Sequence, residues 1–486
     1  MTPLRNRVFP LTITALTPVH IGTGARLAPD VDFYADTDTN KVFVVDTDVA
    51  LDLVAQRWEA EQVAPEEQRR QAEVALEQEE QRLRRQKEQQ IKLAQQFPAA
   101  RPQDRRKVPQ WEERREKLFR DAEALKAREA ELKQRRAELA TQVFADALAL
   151  PDDLVGNSGL ADLLKMGQLT LADLRGGTSL EERPLVRYAL KGRLPTASAE
   201  LYELIKDVTD RPYLPGSSLK GAIRSALAWG VAASLAPATL QQIGSGKKNA
   251  DDKIEVAIFH GRPERGWQEM NATLRDVMRT LHIGDSDSAP VTVPPELLSV
   301  IIFKSSSQRN VRLAVEAIPA ATVLRATLQV ERYPFESAEA RKKITFDQWQ
   351  ARLAPEALAQ TCRARARDLI AGERAYFAAF PDDAAEVSRF YQSLDEQLDA
   401  LGPRAFLLPV GWGAGWRSKT LDTRLRANPV AFVKVVQDFE LKKKYKSAQY
   451  QPGGSFPDTR KLALAGDRPS RPLGWLRVEL GEEQGR

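Results

Sequence analysis

The 486-residue sequence contains very little cysteine and histidine. Its single cysteine, Cys362, excludes an internal disulfide and a zinc ribbon, because both need at least two thiols. The three histidines, His20, His260 and His282, lie too far apart in sequence for an HExxH or HxH ligand pair. These absences exclude disulfide scaffolds and the common zinc motifs, and we expect neither a metal nor another cofactor.

The sequence also lacks long apolar runs. No segment approaches the ~20 consecutive apolar residues of a membrane helix, and residues 1–7 lead into an alternating segment instead of the apolar block of a signal peptide. We therefore expect a cytoplasmic protein without a membrane partner. The 72 basic residues exceed the 67 acidic ones by five, a bias that a nucleic-acid partner would explain but does not require.

Glycine is absent from about residue 55 to residue 141, where Glu, Gln, Lys, Arg and Ala dominate. Prolines between residues 98 and 109 interrupt this segment and mark a turn between two helices. An apolar residue at every seventh position predicts one seam along the second helix. The residues of that seam are Trp111, Leu118, Leu125, Leu132 and Leu139. Residues 56–141 are therefore predicted to form an inserted helical coiled-coil arm, which either contacts a neighbouring subunit or nucleic acid or is a solvated insertion.

Strand and helix patterns alternate on both sides of the arm. Alternating Leu11, Ile13 and Ala15 predict a half-buried strand, and residues 42–45 predict its neighbour. Residues 311–315 and 324–330, joined by Pro319 and Ala320, predict a β-hairpin. Helices at 346–371 and 383–401 and strands at 406–410 and 475–480 follow. This order predicts an α+β fold with one domain of residues 1–55 and 142–315 and a second of residues 316–486.

A Pro-Gly turn precedes a predicted helix within residues 212–227. Ser217 or Ser218 is expected to cap this helix, and Lys220 and Arg224 stand one turn apart. The predicted buried stripe of the helix consists of Leu219, Ile223, Ala226 and Leu227. A helix start with unbonded N–H groups and two cations predicts an anion site, with phosphate as the expected anion. The alternative is an ordinary capped helix whose basic residues are solvated.

A glycine-rich segment at residues 410–420 has glycines at alternate positions. Gly411, Gly413 and Gly415 allow a backbone to approach a ligand closely. Trp412 and Trp416 are suited to stacking on bases, and Arg417 and Lys419 to holding phosphates. The composition is typical of an RNA-contacting loop, but a tight turn with core tryptophans fits it equally well.

A compact turn at residues 17–24 follows the first strand and contains His20. A neutral imidazole titrates near physiological pH, so His20 is a candidate general base for RNA cleavage. A histidine that is hydrogen-bonded within the fold is the commoner case, and no partner acid is visible in the sequence. Residues 244–248 fail the spacing of a phosphate-binding GxxxxGK loop, so residues 243–252 are expected to form a flexible loop.

These motifs, taken together, resemble those of the RAMP superfamily of CRISPR proteins. The motifs are residues 17–24, residues 213–221 with the string PGSSLKG, and the glycine-rich residues 411–419. Further segments are similar to the family of fifth subunits of type III-A Csm effector complexes. These segments are residues 281–286, 456–460 and 472–475. The resemblance spans the chain outside the arm, and a backbone subunit of the same complex or an equivalent from a related type III complex fits the same motifs.

The resemblance implies two ferredoxin-like, RRM-like domains and a subunit that caps the filament of backbone subunits. It implies contact with the 3′ end of the guide RNA (crRNA), no nuclease activity of its own, and a role in guide maturation through host nucleases. The other Csm subunits, above all the backbone RAMP subunit, are further implied partners, and target RNA is an additional candidate. The RRM aromatic signature is not visible, so base stacking on a strand face is not expected.

The candidate RNA-binding residues come from the resemblance and from the composition of the glycine-rich segment. They are His20, Gly22, Ser217, Ser218, Lys220, Arg224, Gly411, Trp412, Gly413, Gly415, Trp416, Arg417 and Lys419. They are donors and cations without an acid–base pair, which favours a non-catalytic RNA-binding subunit. Two alternatives stay open: a metal-independent endoribonuclease with His20 as base and Lys220 stabilising the phosphate charge, and a purely structural scaffold of the same complex.

Overall fold

The computed structural model divides into two compact units, the main body within residues 1–45 and 187–486 and the arm unit within residues 46–186. The expected flexible loop at 243–252 lies outside the described residues except for Asp252. The structure describes residues 5–62, 66–98, 100–145, 159–165, 167–196, 199–240, 252–290, 292–304, 311–346 and 348–484.

A five-stranded antiparallel sheet contains the first and last strands of the main body. Its central strand confirms the predicted alternation, since Leu11, Ile13 and Ala15 are buried. The strands, in order across the sheet, are β10 (Leu281–Ile283), β13 (Val323–Val330), β1 (Arg7–Ala15), β18 (Trp475–Leu480) and β15 (Ala405–Pro409). β1 lies between β13 and β18, so this sheet draws strands from both sides of residue 315. The division into two domains at that residue stays a prediction.

A second, mixed sheet contains nine strands. Seven follow one path: β2 (Gly22–Leu27), β8 (Leu201–Leu204), β12 (Arg312–Ala317), β11 (Glu296–Lys304), β7 (Val186–Lys191), β4 (Lys41–Val45) and β3 (Phe33–Asp36). β16 (Thr459–Ala465) pairs with β11, and β17 (Arg468–Pro472) pairs with β16. The strand predicted at residues 42–45 exists as β4, but it is not a neighbour of β1, because it pairs with β3 in this second sheet.

The predicted hairpin of residues 311–330 is wrong, although both of its strands exist. β12 pairs with β11 and β8, whereas β13 pairs with β1 and β10, so the two strands lie in different sheets. The connection between β12 and β13 is hydrogen-bonded to the end of β1 and to the residues after it. Ile318 N donates to Val19 O at 2.8 Å, and Ala321 N donates to Ala15 O at 2.7 Å. The connection therefore passes the chain from one sheet to the other.

Helices cover the sheets of the main body. The predicted helices near residues 346–371 and 383–401 are confirmed, as are the strands near residues 406–410 and 475–480. The helices are α6 (Gly216–Ala232), α7 (Pro237–Leu240), α8 (Asp252–Phe259), α9 (Ala272–Arg275), α10 (Tyr333–Glu336), α11 (Ala338–Arg341), α12 (Trp349–Arg352), α13 (Pro355–Phe377), α14 (Ala385–Asp399), α15 (Gly415–Lys419), α16 (Asp422–Leu425), α17 (Pro429–Asp438) and α18 (Lys444–Ala448), with a 3₁₀ turn at Val277–Thr280 and a small two-stranded sheet of β9 (Arg262–Pro263) and β14 (Ile344–Thr345).

The arm unit is mostly helical. Two long helices, α2 (Glu66–Gln95) and α3 (Val108–Ala145), pack against each other. Leu83 and Leu132 are buried, and Leu118 and Leu125 are half-buried. Within this unit, Arg57 donates to the Asp173 carboxylate at 2.6 Å. This ion pair holds the pKa of Asp173 well below its usual range. The elements are α1 (Thr47–Gln62), α2 (Glu66–Gln95), α3 (Val108–Ala145), α4 (Leu160–Lys165) and α5 (Leu171–Gly176), with strands β5 (Ser179–Leu180) and β6 (Arg183–Pro184).

The described part of the chain lacks both a membrane-spanning helix and a cluster of metal ligands. None of its helices combines the length and the apolar character needed to span a bilayer. Within the same described ranges, no group of three or more His, Cys, Asp or Glu side chains is arranged to hold a metal ion.

Candidate nucleic-acid interface

His20 lies inside the main body and not on its surface. It is 1% exposed, and its Nδ1 donates to the carbonyl oxygen of Glu316 at 2.7 Å, which requires the proton on Nδ1. Burial lowers the pKa of His20 to about 4, so the ring is neutral at physiological pH. Gly22, two residues later, begins β2 on the exposed side of the turn. The first motif therefore contains a buried histidine, His20, and an exposed residue that begins a strand, Gly22.

A buried polar cluster around Glu316 lies next to His20. Glu316 is fully buried, and its carboxylate accepts hydrogen bonds from Lys206 Nζ at 2.6 Å, from the Tyr188 hydroxyl at 2.7 Å and from the Leu204 backbone N–H at 2.8 Å. A buried carboxylate is tolerated when its charge is paired and its oxygens are hydrogen-bonded. This cluster fixes the strands on which the first motif rests, and the sequence carried no local signal for it.

The glycine-rich segment is bonded to the first motif. The Trp412 backbone N–H donates to the carbonyl oxygen of His20 at 2.8 Å. Gly411 has a φ of +80°, and a Cβ there would overlap the same carbonyl oxygen. Only glycine fits this close approach without strain. Two of the three sequence motifs are therefore in direct contact.

Both tryptophans of the glycine-rich segment have partners within the protein. The half-buried Trp412 ring lies 5.6 Å from the His20 ring and 3.8 Å below Lys461 Nζ. Trp416 Nε1 donates to Asp422 at 3.0 Å, and its ring packs edge-on against Phe456 at 5.3 Å. The tryptophans therefore hold the segment in place, and the predicted stacking on bases stays a prediction.

A buried arginine that was not predicted from the sequence supports the end of this segment. Arg365, on α13, is 1% exposed and donates to the carbonyl oxygens of Arg417 and Thr420. Arg417 itself lies near the carboxylates of Glu373 and Asp422, at 3.9 Å and 3.7 Å. Burial lowers the pKa of Arg417. Lys419, at the end of α15, is exposed.

A cavity of about 230 Å³ lies behind the glycine-rich segment. Gly413 and Gly415 line it together with the cations Arg417, Arg460 and Lys461, which face one carboxylate, Glu373. Arg460 Nε donates to Glu373 at 2.6 Å. The Nε atom of Arg417 and the Nη2 atom of Arg460 are buried without a hydrogen-bond partner among the described residues. The cavity therefore presents unused donors and an excess of positive charge.

Arg460 and Lys461 complete this site, although neither was among the predicted site residues. Both belong to β16, which pairs with β11 in the second sheet. Burial, followed by the nearby charge of Lys419, lowers the pKa of Lys461. Adjacent basic residues at a strand start were a weak local signal, and only the sheet pairing brings them beside Arg417.

The predicted cap of α6 by a serine side chain is wrong. The helix starts at Gly216 behind Pro215 and has no cap from a side chain of its own segment. Instead, the Gly216 N–H donates to the carboxylate of Asp285 at 2.8 Å. Ser217 is exposed and Ser218 is half-exposed. A carboxylate from a distant loop therefore takes the position at which the sequence predicted an external anion.

The two cations of α6 differ in their surroundings. Arg224 pairs with Asp276 at 2.9 Å and with Glu255 at 3.0 Å, and its guanidinium lies 3.9 Å from the Phe259 ring centroid. Lys220 is half-buried, and burial lowers its pKa. The predicted leucine, isoleucine and alanine stripe of the helix is confirmed as buried. Arg224 is therefore held by intramolecular charge pairs, and Lys220 is the more available cation.

A groove of about 550 Å³ brings α6 next to the glycine-rich segment. Arg224 of α6 lines it together with Trp416 and Lys419. The main body thus brings together the first motif, the glycine-rich segment and α6. The first motif contacts the glycine-rich segment through His20, and the glycine-rich segment and α6 share this groove.

The sequence model of the RAMP superfamily matches residues 12–313. No curated protein matches this chain. A chain in the cryo-EM structure of a Csm–crRNA–target RNA ternary complex of a type III-A CRISPR–Cas system aligns over 97% of this chain and 100% of its own length, with 19% identity and a TM-score of 0.57. The crystal structure of Csm5 from T. onnurineus aligns over 96% of this chain and 99% of its own length, with 18% identity and a TM-score of 0.51. These similarities show a shared fold.

Proposed function

This chain belongs to the RAMP superfamily, and on that premise we propose that it is a non-catalytic RNA-binding subunit of a type III CRISPR–Cas Csm effector complex. Its fold is shared with a chain of a complex that contains Csm proteins, crRNA and target RNA. The proposal assigns it the cap of the backbone filament, contact with the 3′ end of the crRNA, and a role in guide maturation exercised through host nucleases. Two ferredoxin-like domains and a coiled-coil arm are part of the same proposal.

The observation that carries this proposal is the set of cations around the glycine-rich segment. Arg417, Arg460 and Lys461 share one cavity with a single carboxylate, and Lys419 lies exposed beside it. Donors and cations that outnumber carboxylates attract phosphate oxygens. We assign direct RNA contact to Lys419 and Lys461, and to the cavity edge at Gly415.

The remaining predicted residues take supporting roles in the proposal. His20 and Gly411 hold the glycine-rich segment against the first motif, and Arg224 is held by two carboxylates. Ser217 and Lys220, which are less buried, extend the proposed RNA surface along α6. The proposed contacts are therefore to the RNA backbone and carry no base sequence.

The environment of His20 weighs against the endoribonuclease alternative. A general base must lie within hydrogen-bond reach of the proton that it removes. The His20 ring is 1% exposed, its Nδ1 is engaged with Glu316, and its pKa is lowered to about 4. A buried histidine that is hydrogen-bonded within the fold supports a binding subunit over a nuclease.

Removing two charges beside the cavity tests the proposal. Lys419→Met together with Lys461→Met keeps most of the side-chain volume and removes the charges. For a labelled single-stranded RNA measured by fluorescence anisotropy, we expect weaker binding. The slope of log affinity against log salt should become less steep by about 1.4, since each phosphate contact to a single strand contributes ~0.7. In the assembled complex, the variant should also change the length or occupancy of the guide 3′ end.

The control is Lys41→Met together with Lys191→Met, which removes two exposed lysines of the main body. This control should leave affinity and salt slope unchanged. Equal affinities for the cavity variant, the control and the wild type, with unchanged guide length, would instead support a purely structural scaffold.

A further inference from the structure

An apolar groove lies where the two long helices of the arm unit meet their connecting turn. It has a volume of about 560 Å³, and its floor is formed by Leu93, Phe97, Trp111 and Leu118. Leu93, on α2, is 49% exposed. The groove therefore offers apolar surface to a partner.

The rim of this groove is basic. Lys107, Arg114 and Lys117 line it together with one carboxylate, Asp121. None of these three cations forms an ion pair with a residue in the described part of the chain. The rim therefore carries a net positive charge that the arm itself does not neutralise.

Some basic residues elsewhere on the same two helices form ion pairs between the helices. Lys87 lies 2.5 Å from Glu129, Arg128 lies 3.0 Å from Glu79, and Arg136 lies 3.0 Å from Glu80. These pairs join the helices along their length. The rim cations do not take part in these pairs, and their positive charge favours association with acidic partners.

The aromatic residues of the groove are poorly placed to bind a nucleic-acid base. Trp111 already packs against Phe97, with ring centroids 5.4 Å apart, and the guanidinium of Arg115 lies 5.5 Å from its ring. Its Nε1 donates to the carbonyl oxygen of Pro98 at 3.3 Å. A base would have to displace one of these groups to stack, whereas an apolar side chain fits beside Leu93 and Leu118.

We propose that this groove binds an acidic, amphipathic segment of a partner protein. Apolar side chains of that segment fill the floor, and its carboxylates pair with Lys107, Arg114 and Lys117. An amphipathic helix laid into an apolar groove is a common mode of peptide recognition. The proposal is separate from the RNA surface of the main body.

Three labelled probes test it against the full-length chain by fluorescence anisotropy. They are a helical peptide of Leu and Glu, the same peptide with Lys in place of Glu, and oligouridine RNA. We expect the acidic peptide to bind more tightly than the basic one. The triple variant Lys107→Glu, Arg114→Glu and Lys117→Glu should weaken acidic-peptide binding by at least about tenfold, because three charge pairs become repulsive. Leu93→Gln should also weaken it, while RNA binding should be unchanged.

The control variant is Phe119→Ala. Phe119 is 67% exposed on α3 but does not line the groove, so its loss should leave peptide binding unchanged. Equal binding of both peptides, no binding of the acidic peptide, or an unaffected triple variant would overturn the proposal. A triple variant that loses RNA binding and keeps peptide binding would identify the groove as a nucleic-acid site instead. None of these results alters the test of Lys419 and Lys461.

Discussion

Replacing Gly411 by alanine tests the contact that joins the glycine-rich segment to the first motif. Gly411 has a φ of +80°, a left-handed conformation that costs alanine about 1–2 kcal/mol. The new Cβ would also overlap the carbonyl oxygen of His20, which accepts the hydrogen bond of Trp412. Losing that bond costs about 1 kcal/mol. We therefore expect the free energy of unfolding to fall by about 2–3 kcal/mol.

Gly415→Ala is the matched control, because Gly415 has a φ of +86° but no heavy atom within 4 Å of its Cβ position. Its free energy of unfolding should fall only by the cost of the left-handed conformation, about 1–2 kcal/mol. Urea denaturation followed by tryptophan fluorescence measures both variants. The Gly411 variant should also weaken RNA binding, because Trp412 and Lys461 are displaced with the segment. Equal destabilisation of the two variants would refute the claim that the close approach to His20 matters.

Three further predictions concern the supports of the site. Asp285→Ala should lower the free energy of unfolding by about 1 kcal/mol, because the Gly216 N–H loses its capping carboxylate; a melting temperature equal to wild type would contradict this. Glu316→Gln should destabilise by about 3 kcal/mol in urea denaturation, since the buried Lys206 charge loses its partner at 2.6 Å and keeps only Glu203 at 3.9 Å; a loss below that of Asp285→Ala would contradict the buried pair. Burial lowers the pKa of His20 from 6.5 to about 4, so the unfolded state binds its proton first. Stability should therefore rise with pH between about 4 and 6.5, by up to about 3 kcal/mol. His20→Asn should lack this part of the pH dependence, and an identical pH profile would show that His20 does not titrate in this range.

The secondary structure of the main body was predictable where periodicity was strong. Alternating apolar residues identified β1 and β13, and the apolar stripe of α6 was recognisable from Leu219, Ile223 and Leu227. These patterns are local, because each residue reports which side of its own element is buried. Of the arm, the composition indicated two long helices joined near residues 98–109, and the structure has α2 and α3 at those positions.

Pairing between strands was not predictable from the same patterns. The strands at residues 312–317 and 323–330 have the alternation and the tight connection of a hairpin, yet they pair in different sheets. Alternation shows that a strand has one buried face, but it does not identify the neighbouring strand. The backbone groups of Ala15 and Val19, more than 290 residues away in the chain, take the hydrogen bonds of the connection.

The contacts between side chains of the site were also not predictable from local patterns. The sequence identified the cations of the glycine-rich segment and of α6, but it assigned the helix cap to a serine of the same segment. The carboxylate that binds the helix start comes from Asp285, and Glu373, which lies near Arg417, comes from α13. The two further cations of the cavity come from β16. Such contacts depend on long-range packing, so no spacing within a motif could reveal them.

The sequence by itself determined the class of protein, because a glycine-rich loop, a Pro-Gly helix start and a His-Ile-Gly turn are local features that resemble one superfamily. It also determined what the chain lacks, since a single cysteine and three scattered histidines cannot form the common metal motifs. Only the tertiary structure decided which cations are available for a ligand. Arg224 is neutralised by Asp276 and Glu255, while Arg460 and Lys461 join Arg417 around one cavity. The physical reason is that the availability of a charge depends on its burial and its nearest opposite charge, and both are set by residues distant in the chain.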